Sequence, residues 1–212
     1  MEKACVIFCA GAVSGPVEIP AGALVIAADG GLRHTEALGI TPDVVLGDFD
    51  SLGYVPEGEN VLRYPVKKDD TDSMLGVRLG LERGCRDFYL YGALEGPRLD
   101  HTVANIQALW YLAEHGAAGY LLGKDTVATV LKNGAVRFPA QAQGILSVFC
   151  MGGKAQGVNL RGLMYPLCDA ELSGSMPLGV SNHFIGEESE ISVRDGTLLL
   201  MFPRSAGLPA RQ

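Results

Sequence analysis

Apolar residues first occur in short, nearly unbroken runs at 4–9, 24–28, 43–46, 61–64, 88–91 and 120–122, the pattern of strands covered on both faces. Between the later runs the period changes. Met74, Val77 and Leu81 recur at helical spacing, widened by Leu75 and Leu79, and Val103, Ile106, Trp110 and Ala113 form a second stripe. Each stripe closes on a glycine, Gly84 and Gly116, which tolerates the left-handed conformation of a helix C-terminal cap. Strands alternating with crossover helices predict an α/β domain with a mainly parallel sheet over residues 1–130. Beyond it the helical period disappears, and short β-prone runs separated by Gly, Pro, Asn and Asp predict an all-β, sandwich-like domain over 131–212. Residues 126–131 suit either sheet. Ile191 and Val193 lead into Asp195-Gly196 and then into an apolar run at 198–202, which predicts a hairpin because both positions of such a turn favour positive φ.

The composition is that of a folded protein: 48% hydrophobic and 19% charged over 212 residues, which excludes intrinsic disorder. Glycine is abundant, at 28 residues and without a collagen-like period, so tight turns and close backbone approaches are expected. A formal charge of −7 argues against nucleic acid as a partner, because affinity for a phosphate backbone comes from clustered Lys and Arg. No apolar stretch is long enough for a spanning helix, so no membrane association is expected. The apolar run at 4–13 follows Glu2 and Lys3, which cancel, and reads as a first strand rather than a signal peptide. Five cysteines without CxxC spacing indicate neither a disulfide framework nor a zinc site and fit a cytoplasmic location.

Acidic residues are concentrated. Residues 43–72 hold eight of them against Arg63, Lys67 and Lys68, so most of the net charge lies in this span. Asp48 and Asp50 follow a buried strand and, two apart in an extended chain, would face one side while Phe49 packs inward. Asp69-Asp70-Thr71-Asp72 opens the first predicted helix, where one carboxylate and Thr71 would suffice as a cap. Three aspartates in four residues, beside Asp48 and Asp50, repel one another unless a cation is present, and oxygen-only ligands favour Mg²⁺, with Mn²⁺ or Ca²⁺ as alternatives. All these segments follow strands, at the sheet edge where parallel sheets bind ligands. Asp29-Gly30-Gly31 opens a helix running to Leu38 and could seat a phosphate or simply cap that helix. Residues 92–101 bring Arg98, which could clamp phosphate oxygens, and Asp100, which could cap the second helix or pair with Arg98. His34, His115 and His183 show no partner pattern and read as surface residues. Neither a P-loop nor a dinucleotide fingerprint is present.

Taken in order, Asp29-Gly30-Gly31, Gly47-Asp48-Phe49-Asp50-Ser51, Lys68-Asp69-Asp70-Thr71-Asp72 and Arg98-Leu99-Asp100-His101 resemble the thiamine pyrophosphokinase (thiamine diphosphokinase) family. Gly162-Leu163-Met164-Tyr165-Pro166-Leu167 and Gly179-Val180-Ser181-Asn182 extend the resemblance into the second half. It implies transfer of a diphosphoryl group from ATP to the hydroxyethyl oxygen of thiamine, with Mg²⁺ or Mn²⁺. It implies a homodimer whose active site lies at the subunit interface, between the N-terminal domain of one copy and the β domain of the other. On this resemblance Asp48, Asp50 and Asp72 are metal ligands, and with Arg98 they are the catalytic set. Asp29, Gly30, Lys68, Asp69, Thr71, Arg98 and Asp100 line the nucleotide region, while Ser181 and Asn182 meet thiamine. Glu95-Gly96-Pro97 stands where the family more often has a Gly-Gly loop before the arginine. The lone tryptophan, Trp110, lies in the N-terminal half, so Tyr165 or Phe184 would replace any C-terminal tryptophan stacked on thiamine. Two other readings compete: a diphosphokinase for another alcohol such as a hydroxymethylpterin, and a non-catalytic nucleotide or thiamine sensor.

Overall fold

The computed structural model describes residues 3–67 and 69–212. They form two compact units, Met1–Lys124 and Asp125–Gln212. The divide falls ahead of residue 130 because residues 126–131 open one continuous strand of the second unit.

The first unit carries β1 (Lys3–Phe8), β2 (Leu24–Ala28), β3 (Val44–Gly47), β4 (Val61–Arg63), β5 (Cys85–Tyr91) and β6 (Ala118–Leu122). All pair in parallel, in the order β6-β5-β1-β2-β3-β4. The chain thus builds outward from β1 and then returns to its other side at β5. Where such an order reverses, the loops leaving the two central strands diverge and open a crevice at the carboxyl edge. The helices are α1 (Leu32–Ala37), α2 (Asp72–Glu82) and α3 (Leu99–Glu114).

The helical stripes read from sequence mark the right elements, but the buried faces are displaced. On α2 the buried positions are Gly76, Val77 and Gly80. A Cβ on Gly76 would lie 3.3 Å from Ile7, and one on Gly80 would lie 2.5 Å from the Phe88 ring. These two glycines let α2 lie unusually close to β1 and β5. On α3 the buried residues are Asn105, Ala108, Leu109 and Leu112, whereas Val103 is exposed and Trp110 half-buried. A polar residue, Asn105, therefore sits on the inner face that an apolar stripe was expected to own.

The second unit is all-β and antiparallel: β7 (Thr126–Phe138), β8 (Ile145–Arg161), β9 (Leu167–Ser173), β10 (Gly179–His183), β11 (Ser189–Pro203) and β12 (Ala210–Arg211). Its strand order is β10-β8-β11-β7, with β9 on β8 and β12 on β7. The hairpin expected at Asp195-Gly196 is not formed. Both flanking runs pair with the same two neighbours, so the dipeptide is a bulge within a single strand, where the register with β7 jumps between Val193 and Thr197. The Gly196 N–H donates to Asn133 Oδ1, which secures the bulge from the facing strand. Phe138 packs edge-on against Phe184 and Phe202 in the core. None of the helices among the described residues is long and apolar enough to cross a membrane.

Candidate functional site

The carboxyl edge of the parallel sheet opens into a cavity of about 390 Å³, walled by the loops after β1, β2, β3 and β5 and by the start of α2. Asp29, Asp48 and Asp50 place one carboxylate oxygen each within 4.8 Å of one another on this wall. Their convergence comes from bent backbone rather than from an extended chain. Phe49 has φ +66°, which turns Asp48 and Asp50 to one side while its ring packs with Ala27, Leu32, Val45 and Leu52. The Asp50 N–H donates to Asp48 Oδ1, closing the turn. Arg33 of α1 holds the next residues by donating to the carbonyls of Ser51 and Leu52.

Of the two roles the sequence left open for Asp29, capping the helix is not the one it takes. It has φ +46°, makes no side-chain cap bond, and is 5% exposed. Gly47 is required opposite it, since a Cβ there would lie 3.1 Å from Asp29 Cβ. Ser51 Oγ donates to Asp29 Oδ2, while Oδ1 is buried with no hydrogen-bond partner among the described residues. A buried carboxylate oxygen left so is costly, and a cation beside it would remove the cost.

Thr71 is the true cap of α2, its Oγ1 accepting from the Met74 N–H. Thr71, Asp72 and Asp70 all reach the cavity wall. Asp70 is held by Arg78, at 3.0 Å from Nε. Asp69 is exposed and lies off the wall, and Lys68 lies outside the described residues. Cys9 at the cavity floor is buried, and burial together with the Asp72 charge pushes its thiol up to about 12.

Arg98 reaches the wall from the other side and pairs in two-pronged fashion with Asp100, at 3.2 Å and 2.5 Å. This pair raises the Arg98 pKa and lowers that of Asp100, through the hydrogen bonds and then the opposite charges. Asp100 therefore holds the guanidinium rather than capping α3, which has no side-chain cap. Gly30 is buried behind the wall, with its Cα side turned to Ala10.

Glu95 and Asn105, given no role from the sequence, line the cavity, and His34 bonds to Gly11, which also lines it. Glu95 Oε1 accepts from the Lys124 N–H, tying the loop after β5 to the end of β6. His34, expected at the surface, is half-buried and its Nε2 bonds to the Gly11 carbonyl. Asn105 lies on the wall and accepts from Ser73 Oγ at 2.7 Å while donating to the Ala93 carbonyl at 2.7 Å.

In the second unit Ser181 and Asn182 have different duties. Asn182 is buried: its Oδ1 accepts from the N–H groups of Tyr165 and His183, and its Nδ2 donates to the Tyr165 carbonyl. It fixes the loop that exposes Tyr165 and Met164. Ser181 is exposed with φ +60°, and its N–H donates to Ser147 Oγ.

Comparison with known proteins gives a consistent result. The family model described as thiamin pyrophosphokinase, catalytic domain, matches residues 19–121, and that described as thiamin pyrophosphokinase, vitamin B1 binding domain, matches residues 136–198. The chain is 25% identical over 170 residues to the thiamine pyrophosphokinase of Bacillus subtilis (strain 168), covering 77% of this chain and 79% of that protein. It is similar in fold to the crystal structure of thiamine pyrophosphokinase from Bacillus subtilis, with a TM-score of 0.82 at 22% identity over 95% of this chain and 99% of the other. The thiamin pyrophosphokinase from Candida albicans is also similar, with a TM-score of 0.72 at 16% identity over 95% and 89% of the two chains.

Proposed function

The chain belongs to the thiamin pyrophosphokinase family, and from that premise we infer which of its residues carry the reaction. The enzyme transfers a diphosphoryl group from ATP to the hydroxyethyl oxygen of thiamine, giving thiamine diphosphate and AMP. The observation that carries the site assignment is the convergence of Asp29, Asp48 and Asp50, with Asp29 Oδ1 buried and bare of any hydrogen-bond partner among the described residues. Attack of the alcohol on the β-phosphorus needs alignment and charge neutralisation, not a covalent enzyme intermediate.

The donor set fits a hard divalent cation, because carboxylate oxygens alone line the cluster. Asp48 and Asp50 with Asp29 would hold Mg²⁺ or Mn²⁺, and Asp72, which lies outside that cluster but lines the same cavity, would join them. When bound, the ion neutralises charge on the polyphosphate. The chain's own contributions are separate. Arg98 exchanges its Asp100 partner for phosphate oxygens, a substitution of one two-pronged anion by another. Thr71 and Asp72 line the same cavity, Gly30 and Asp69 lie beside the nucleotide region, and Lys68 belongs to it by its place in the sequence motif. The acidic wall also attracts the cationic thiazolium of thiamine.

We place thiamine recognition on the second unit, which we read as a two-layer β-sandwich because β7, β8 and β11 each change register midway. Ser181 meets thiamine from an exposed position, and Asn182 supports it by fixing the Tyr165 loop. The chain acts as a homodimer with the active site at the subunit interface, a reading supported by the exposed Met164, Tyr165, Met176, Leu178 and Val180 on the second unit. Incubation with ATP, Mg²⁺ and thiamine tests the function: thiamine diphosphate and AMP are expected in equal amounts. Thiamine monophosphate with ADP, or ATP consumed without any thiamine product, would overturn it.

A further inference from the structure

α3 buries one polar side chain among the described residues, Asn105, in its N-terminal half on the cavity wall. The next inward positions, Ala108, Leu109 and Leu112, are apolar, so an apolar residue at 105 would bury without the cost of desolvating an amide. That cost is met by two bonds reaching in opposite directions. Oδ1 accepts from Ser73 Oγ, which is itself 3.0 Å from the Thr71 hydroxyl that caps α2. Nδ2 donates to the Ala93 carbonyl, at the root of the loop that ends in Arg98. Thr102, one turn earlier on α3, donates to the Leu94 carbonyl and fixes the same loop.

We propose that Asn105 is a positioning residue for diphosphoryl transfer: it braces the acidic segment 70–72 against the loop that carries Arg98. The proposal rests on the functional reading above. The two walls of the cavity come from elements distant in sequence, and each must place its charged groups on one polyphosphate. An in-line transfer loses rate steeply when its groups are misplaced by an ångström. Asn suits the brace where residues of similar size do not: aspartate cannot donate to the Ala93 carbonyl when ionised, and leucine offers neither bond. Asn105 acts through Ser73 and Ala93, not on the substrate.

The test uses wild type, Asn105→Ala, Ser73→Ala, their double variant and Ser73→Thr, which keeps the hydroxyl. Each single removal should lower kcat about tenfold or more while the KM for thiamine stays within about twofold. The double variant should be no slower than the slower single, since a chain of bonds breaks only once, and Ser73→Thr should retain activity. In the ligand-free protein, amide hydrogen exchange should quicken both at 71–74 and at 93–98 in either single variant. Unchanged kcat in Ser73→Ala, effects that multiply in the double variant, or faster exchange confined to α3 would overturn the proposal. If Asn105→Ala does not fold, Ser73→Ala against Ser73→Thr decides it. If wild type makes no thiamine diphosphate, the functional reading fails, and the exchange pattern still judges the brace.

Discussion

Cys9 lies beneath the acidic wall, and its thiol is pushed up from 9.0 to about 12 by burial and by Asp72. The unfolded chain therefore ionises this thiol at lower pH than the native protein does. Its contribution to stability is complete below pH 9.0 and is lost as pH rises toward about 12. Alkaline unfolding curves of Cys9→Ala should fall less steeply across that interval than those of wild type; equal slopes would contradict the assignment. At the residue scale, the sequence already picked out residues that share one cavity. Asp48, Asp50, Asp72 and Arg98 all reach one cavity, as their places after strands imply. What stayed hidden depended on unusual backbone. Nothing in the residue types reveals that Asp29 and Phe49 adopt positive φ, which makes Asp29 a cluster member and not a cap. Residue type likewise does not tell that Asp70 reaches the cavity wall while Asp69, its neighbour, does not.

At the scale of elements, Gly80 sets two effects of opposite sign against each other. Alanine there should gain roughly 1 kcal/mol of helix propensity. Its Cβ, however, would lie 2.5 Å from Phe88 and 3.0 Å from the Cys5 sulfur. Overpacking of this kind costs about 1–3 kcal/mol, so Gly80→Ala should be destabilising by up to about 2 kcal/mol. Denaturant unfolding would measure it, and a stabilised variant would show that α2 can ride higher on the sheet. The elements themselves were legible, since strands covered on both faces are continuous apolar runs and both long helices end at glycines with positive φ, Gly84 and Gly116. Their faces were less so. Hydrophobic spacing cannot register a glycine that meets the sheet or a buried asparagine, and so it rotated the reading of α3 away from Asn105. The Asp195-Gly196 signal failed for a related reason: a bulge and a turn both recruit glycine at positive φ, and only pairing partners separate them.

At the scale of the whole molecule, topology explains why segments scattered from residue 9 to residue 105 meet. Parallel strands send every following loop to one edge, and the return of the chain from β4 to β5 opens that edge beside β1. The chain order of the motifs therefore carried much of the site's geometry. The negative balance of charge is concentrated on this edge, where it suits a divalent cation and a cationic alcohol. The central claim is that the carboxylates gathered after β2 and β3 sustain diphosphoryl transfer. The most direct measurement compares thiamine diphosphate formation, with matching AMP, by wild type and Asp50→Asn at saturating ATP, Mg²⁺ and thiamine. Asp50 is exposed on the wall, so the variant should fold normally. Its rate should fall by roughly a hundredfold or more. A folded Asp50→Asn protein within about threefold of the wild-type rate would show that the chemistry is carried elsewhere.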